Sequence, residues 1–301
     1  MAQPENQAIE IIPTLLVGDN SFDSNNIPFC TLCIEVDERR IRFCIVRDEM
    51  MECIWLEDYN FDVVLSQNEI FERLKKIFTG HVLWSSNHWK NVRVAVNSHA
   101  FSLIPSLIFD SQAAPDYLTF ALGRPVQADE RVLYHEVPLV NAYNVFSIPS
   151  IWYDWILSHF AFSNISFYHL TSPLIIGALV SHAEYQELKM VSLYLEKNYF
   201  TLIVTESQQL IFCNRFKFTQ PQELAYIILF TLNELNLLPE EMKVLCYGDV
   251  NATGDTFKEL ARFFPNLHIG AGPTTLKYSR HCGDIPGHRY FGLFNTYLVS
   301  S

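Results

Sequence analysis

Glycine is scarce in this chain. It has 11 glycines among 301 residues, about 4 % against a usual ~7 %. Seven of them (Gly248, Gly254, Gly270, Gly272, Gly283, Gly287 and Gly292) follow residue 247, leaving Gly18, Gly80, Gly123 and Gly177 for everything before. A loop that wraps a phosphate with its backbone amides needs glycine for close approach, so that chemistry is thin over most of the chain. Positive charge is also short. There are 21 Lys plus Arg against 33 Asp plus Glu, for a net −12, and no basic run exceeds Arg39-Arg40 or Lys75-Lys76. Nucleic acid and anionic membranes both need a positive surface, so neither is expected as a partner. Long apolar runs are missing too: stretches such as Pro173 to Val180 are too short to cross a bilayer. The opening MAQPENQAIEIIPTLLVGDNSF has no basic start and no long apolar core, so it does not read as a signal peptide.

What is present describes a folded chain. Apolar residues make up 49 % and charged residues 18 %, which excludes disorder as a whole-chain reading. The length suits two domains or one large one. Seven cysteines, most inside apolar strand-like runs, read as reduced core thiols of a cytoplasmic protein.

Residues 1–29 read as a lead-in with one apolar run, Ile9 to Val17. Thr31 to Val36 alternates, a corner DERR follows, and Ile41, Phe43 and Ile45 alternate again, predicting a tight hairpin with one buried face. A third strand over Glu52–Glu57 follows. Ser66-Gln67-Asn68-Glu69 predicts a capping box and a helix through Ile77. Val92 to Val96 reads as a strand, 115–122 as a helix, and 132–137 and 142–146 as strands. An aromatic helix over 148–160, a strand over 165–169 and a helix over 172–184 complete this part.

The order then recurs. Met190 to Leu195, the corner Glu196-Lys197-Asn198 and the run from Phe200 form a second hairpin, with a third strand over 209–214. Thr219-Gln220-Pro221-Gln222 predicts a second capping box. A helix to about Leu235, a strand over 243–247 ending in Gly248-Asp249, a helix over 253–263 and a strand over 267–269 follow. Setting Asp37 on Glu196 puts Ile41 on Phe200, Phe43 on Leu202 and Ile45 on Val204. The shared order ββ-β-α-β-α reads as an internal duplication, with halves over 30–186 and 187–301.

A duplicated βββαβα unit resembles the superfamily of actin, heat-shock chaperones and sugar kinases, with two ribonuclease-H-like halves around a nucleotide cleft. The chain further resembles a Bacteroidetes family of unknown function with an actin-like ATPase fold, over about residues 28–297. The residues behind this are SFDS, CTLCIEVDERRIRFCIV, NSHAFSLIPSLIFD at 97–110, YHEVPLVNAYNVFSIP at 134–149, FCNRFKFTQPQELAYIILF at 212–230 and DIPGHRYFGLF at 284–294. The implied fold class is α/β, two ribonuclease-H-like halves in actin-like arrangement.

In that superfamily each hairpin corner carries an Asp-x-Gly-Ser/Thr type loop. The aspartate helps place Mg²⁺ and water, and the glycine lets amides reach phosphate. The corner Asp37-Glu38-Arg39-Arg40 puts arginine at the glycine position, and Glu196-Lys197-Asn198-Tyr199 puts asparagine there. The superfamily's adenosine motif, an apolar strand ending in Gly-Gly, is half kept as Gly248-Asp249. Asp37, Glu196, Gly248 and Asp249 are therefore the candidate nucleotide-cleft positions. The expectation is a fold without ATP hydrolysis and without a cofactor, serving as a binding or scaffold module. Its partner would be another protein or a second copy. A nucleotide-binding slow ATPase or switch, with Mg²⁺ and ATP between the halves, is the alternative.

Other chemistries fit less well. A nuclease of this fold needs clustered carboxylates for two metals. The first half offers Asp37 with Glu69 or Glu72, but its fourth strand ends in Asn97; the second offers Glu196, Glu223 and Asp249. Cys30 and Cys33 fall on opposite faces of a strand. His281, Cys282 and His288 lie in a turn-rich segment that reads as a loop anchor. No Gly-x-Ser-x-Gly elbow, Walker loop or dinucleotide fingerprint occurs. Trp152, Tyr153, Trp155, Ile156 and Phe160 fall at helical spacing, predicting packing between the halves, with an exposed partner patch as the alternative.

Overall fold

The computed structural model describes residues 11–19, 22–81 and 83–299. Residues 1–10, with the start of the Ile9 run, and Ser21 of the SFDS motif lie outside the described residues. The chain opens with β1 (Leu15–Gly18), β2 (Cys30–Val36), β3 (Arg40–Arg47) and β4 (Glu52–Asn60). Helix α1 (Gln67–Gly80) leads to β5 (Asn91–Val96). An inserted unit follows: β6 (Phe101–Pro105), α2 (Ala114–Leu122), β7 (Glu130–Val137) and β8 (Ala142–Pro149), paired in the order β6-β8-β7. Helix α3 (Ser150–His159) and β9 (Asn164–His169) close the first sheet, ordered β1-β4-β3-β2-β5-β9, and α4 (Thr171–Tyr185) leaves it.

The second part runs through β10 (Lys189–Leu195), β11 (Tyr199–Glu206), β12 (Gln209–Lys217), α5 (Pro221–Glu234), β13 (Lys243–Gly248), α6 (Asp255–Leu260) and β14 (Leu267–Ile269). These strands are ordered β12-β11-β10-β13-β14. The short β15 (Lys277–Tyr278) returns to pair with β4, and α7 (Phe291–Leu298) ends the fold. The central order is the same in both sheets, with an antiparallel hairpin and third strand, then two strands parallel to the first.

The match extends to single hydrogen bonds. Asp37 N donates to Arg40 O at 3.0 Å, and Glu196 N to Tyr199 O at 2.8 Å. Phe61 N reaches Arg39 O as Phe218 N reaches Asn198 O. Asn97 N donates to Val36 O at 2.9 Å, and Asp249 N to Leu195 O at 2.7 Å. The two corners are thus built alike, and Asn97 is the first-sheet counterpart of Asp249.

Three expectations need correction. The first hairpin buries both faces: β2 is buried along its whole length, including Glu35, and β3 buries Arg40 and Arg42. Helix α7 lies over the face that alternation marks as polar, touching β2, β3 and β5. The aromatic helix α3 does not lie between the halves. Its rings pack on α1 inside the first core, with Trp155 5.8 Å from Phe71 and 5.4 Å from Phe78, and Phe160 5.5 Å from Phe78. The capping box at Ser66 forms in both directions, but the one at Thr219 does not. Helix α5 starts at Pro221 with Gln220 as its N-cap, and Glu223 reaches back to the Thr219 N–H and hydroxyl. Proline at the first helical position needs no N–H partner, so the helix starts there.

The chain also exchanges helices across the expected boundary at 186/187. Helix α4 packs on β11 and β12, and α7 packs back on the first sheet and on α4. Arg93 of β5 donates to the carbonyls of Thr296, Tyr297 and Val299, covering C-terminal acceptors of α7 that have no partner in the helix. The α4–α7 crossing depends on Gly177, where an added Cβ would sit 2.5 Å from the Phe291 ring and 2.6 Å from Asn295 Nδ2. Gly177→Val should therefore lower stability by about 1–3 kcal/mol through overpacking. Urea denaturation checks this against Gly80→Ala, whose Cβ meets nothing within 4 Å and should cost nothing.

Candidate functional site

The two hairpin corners, the end of β5 and the end of β13 meet at one point between the sheets. Three of the four candidate positions, Asp37, Glu196 and Asp249, converge there on Arg40. Its Nε lies 3.4 Å from Asp37 Oδ2, its Nη1 2.7 Å from Asp249 Oδ2 and its Nη2 3.9 Å from Glu196 Oε1. Burial opposes the charge on Arg40, but the carboxylates of Asp37 and Asp249 outweigh it and hold the guanidinium more firmly protonated than usual.

Glu196 is fully engaged. Asn97 Nδ2 donates to its Oε1 at 2.6 Å, and Arg215 donates from Nε and Nη2 to its Oε2 at 3.3 and 3.0 Å. Burial raises its pKa, against the pull of Arg215. Arg215 also lies over the ring of Tyr199, the residue that stands at the second corner where Arg40 stands at the first. His99 packs on the same ring, and burial with Arg215 and Lys217 lowers its pKa to about 4, so it is neutral at pH 7.

The fourth position, Gly248, answers to chain geometry. Its φ is +79°, and a Cβ there would fall 2.2 Å from the Leu195 carbonyl oxygen. Its N–H donates to His288 O at 2.8 Å. Glycine here lets β13 end against β10 and turns Asp249 toward Arg40.

Behind Arg40 lies a second arginine, Arg42, which is fully buried. It holds Glu35 at 3.1 Å, Asp58 at 3.3 Å and the Tyr194 hydroxyl at 3.2 Å, and its guanidinium lies 5.0 Å from the Tyr290 ring centre. Tyr194 belongs to the second sheet and Tyr290 to the segment entering α7, so this network also ties the halves together. The space left between the two corners is about 20 Å³. That is room for a water or two, which need ~10–15 Å³ each, and not for a phosphate chain.

Sequence reasoning marked the acids and placed Asn97 at the end of its strand without a role, but missed Arg215 and Arg42. Arg42 had a readable signal, since a charge inside an apolar strand of a two-sided fold must be paired. Arg215 and Asn97 had none, because their partner Glu196 is distant in sequence. Among the described residues, no group of three or more His, Cys, Asp or Glu side chains is placed to hold a metal ion. The carboxylates point to arginines instead. Cys30 and Cys33 lie in separate cores on opposite faces of β2, and Cys282 is buried among the residues under β15 and α7.

The family described as protein of unknown function (DUF3822) matches residues 19–267. The chain belongs to that family. A Bacteroides thetaiotaomicron protein with actin-like ATPase fold and unknown function superposes with a TM-score of 0.73 at 20 % identity, covering 83 % of this chain and 93 % of that one. The PilM-PilN type IV pilus biogenesis complex contains a similar chain, with a TM-score of 0.63, 10 % identity, and 89 % and 98 % coverage. These likenesses establish the actin-like arrangement of the two ribonuclease-H-like halves. No curated protein matches the chain.

Glu35 gives the site a pH signature. It is wholly buried, and burial raises its pKa to about 7 against the pull of Arg42 and Arg40. A raised carboxyl pKa means the folded state holds a proton that the unfolded state has lost. Its contribution is complete below about 4.5 and disappears as pH rises through about 7. His99 and His169, with pKa values lowered to about 4 and about 3, act in the opposite sense below pH 6.5, so only a difference isolates Glu35. Relative to wild type, Glu35→Gln should gain up to about 3 kcal/mol of stability between pH 5 and pH 8. Urea titrations of both proteins across that range measure it, and a flat difference would contradict the assignment.

Proposed function

We propose that this chain is a non-hydrolysing member of the actin-like ATPase fold that works as a binding or scaffold module. The observation that carries this reading is the position of Arg40. A buried cation held by Asp37, Glu196 and Asp249 stands between the corners where the superfamily places phosphate and Mg²⁺. A triphosphate would have to displace that guanidinium and leave three carboxylates facing its own negative charge. Two of the three, Asp37 and Glu196, are buried, and desolvated like charges disfavour the exchange by several kcal/mol. Arg39 and Asn198 stand at the glycine positions, adding side chains where the fold needs bare amides.

Partner binding has support of its own. The inserted unit exposes Leu107 (96 %), Ile108 (64 %) and Phe120 (92 %), apolar side chains that a protein partner could cover. PilM, a chain of this fold, is seen in a complex with PilN. No helix among the described residues is long and apolar enough to cross a membrane. The seven cysteines are all free thiols, which supports a reducing, cytoplasmic setting.

A thermal-shift titration with ATP and ADP, with and without Mg²⁺, tests the reading. A ligand that binds only the folded state raises Tm by mass action. The expected result is no shift at millimolar nucleotide. A dose-dependent rise that disappears in Asp37→Ala would overturn the argument that Arg40 closes the corners to nucleotide, and an ATPase assay would then decide hydrolysis.

A further inference from the structure

Four of the seven cysteines gather in one place. Cys33 of β2, Cys44 of β3, Cys53 of β4 and Cys282, in the segment between β15 and α7, share one core beside that helix. Their sulfurs form a chain of side-chain hydrogen bonds, Cys33 with Cys44, Cys44 with Cys53, and Cys53 with Cys282. Packing alone asks only for apolar volume at these positions, and the site between the corners uses none of the four. Among the described residues no group of three or more His, Cys, Asp or Glu side chains is placed to hold a metal ion. The chemistry open to this chain of thiols is therefore pairwise, between two sulfurs.

One link of that chain joins a strand to a turn. Cys33 and Cys44 stand opposite each other in the β2–β3 ladder, and Cys44 and Cys53 lie on adjacent strands, facing Leu56 and Val46. The ladder fixes the spacing of these backbones, whereas a disulfide imposes separations and a dihedral of its own. Cys282 sits in a turn, its N–H donating to Ser279 O at 2.9 Å, and its backbone is free of any ladder. The segment is brought to β4 by Tyr278, the register partner of Cys53, and by Ser279 N, which donates to Cys53 O at 3.0 Å. Both cysteines are buried, but the cover is thin: His281, Gly283 and Asp284 around Cys282 are exposed. Turn segments of this kind open locally at low free energy. The S–H groups of Cys282 and Cys44 hold the Cys53 thiol below its usual range against the effect of burial, which suits Cys53 as the attacking sulfur.

We propose that Cys53 and Cys282 form a reversible disulfide that latches the segment before α7 onto β4. The oxidant is a peroxide. The Cys53 sulfur attacks one oxygen of hydrogen peroxide, the O–O bond breaks, and the other oxygen leaves as water with the Cys53 proton, so that Cys53 becomes a sulfenic acid. The Cys282 sulfur then attacks the Cys53 sulfur, the S–O bond breaks, and a second water leaves with the Cys282 proton as the S–S bond forms. The two thiols give up the two electrons that the peroxide takes, and a small thiol reverses the bond by exchange. The latched segment is the one whose His288 carbonyl accepts from the Gly248 N–H and whose Arg289 carbonyl accepts from Arg42, so the bond closes on the join between the halves. The proposal goes beyond the scaffold reading and does not require it, because the two sulfurs touch whether or not a nucleotide can enter between the corners.

Peptide mapping of the full folded chain tests this. The protein is treated with hydrogen peroxide, alkylated with iodoacetamide in urea and cut with trypsin. Cleavage after Arg42, Arg47, Arg73 and Arg280 places Cys44, Cys53 and Cys282 on separate peptides. The expected product is one cross-linked pair, Cys53 with Cys282, which dithiothreitol removes. In Cys282→Ser, Cys53 should stop as a sulfenic acid that dimedone labels, and a thermal scan confirms that this variant is folded. The bond closes a loop of more than two hundred residues, so the oxidised wild type should melt at least about 4 °C above the reduced protein. Full alkylation of Cys53 and Cys282 after peroxide, pairing of Cys53 with Cys33 or Cys44 instead, or a Tm that does not rise on oxidation would each overturn the latch.

Discussion

The structure turns on one buried guanidinium. Arg40 leaves the first hairpin corner and meets a carboxylate from its own corner, one from the second corner and one from the end of β13. Two of those three belong to the other half of the chain. An arginine withdrawn from water needs this much compensation, and the two buried acids, Asp37 and Glu196, need a cation between them. Each side of the arrangement makes the other tolerable. The result is a fold whose halves are joined where fold relatives would be expected to separate around a nucleotide.

Arg42 repeats the logic one layer down. Glu35, Asp58 and Tyr194 surround it, and α7 covers the whole network. Covering β2 and β3 on their second face requires a helix from the far end of the chain. That helix in turn crosses α4 at Gly177 and rests its last turn on Arg93. The exchange of α4 and α7 and the paired arginines are thus parts of one closure. Neither half could bury its polar strand face without the other.

Much of this architecture was legible in the sequence. Period-2 alternation found both hairpins, and aligning Asp37 with Glu196 found the equivalence that the hydrogen bonds repeat. The capping box at Ser66 was readable because its partners are three residues apart. Alternation failed where the hidden face is also buried, since Arg40 and Arg42 look like the solvated side of a strand. Helix α7, with the sequence FGLFNTYL, has apolar residues on several faces and gives no amphipathic stripe, because it is almost wholly enclosed. Strand β6 and the two-residue β15 are too short for any periodicity. At the site, the acids were visible but their partners were not: Arg215 and Asn97 reach Glu196 only through the folded topology.

The claim that Arg40 latches the halves can be measured as a coupling free energy. A double-mutant cycle on Arg40→Ala and Asp249→Ala, read by urea denaturation, isolates the contact at 2.7 Å across the halves. The account predicts a coupling of at least about 1 kcal/mol, with the double variant far less damaged than the sum of the single ones. Additivity within about 0.5 kcal/mol would mean that the two charges stand near each other without holding the molecule closed.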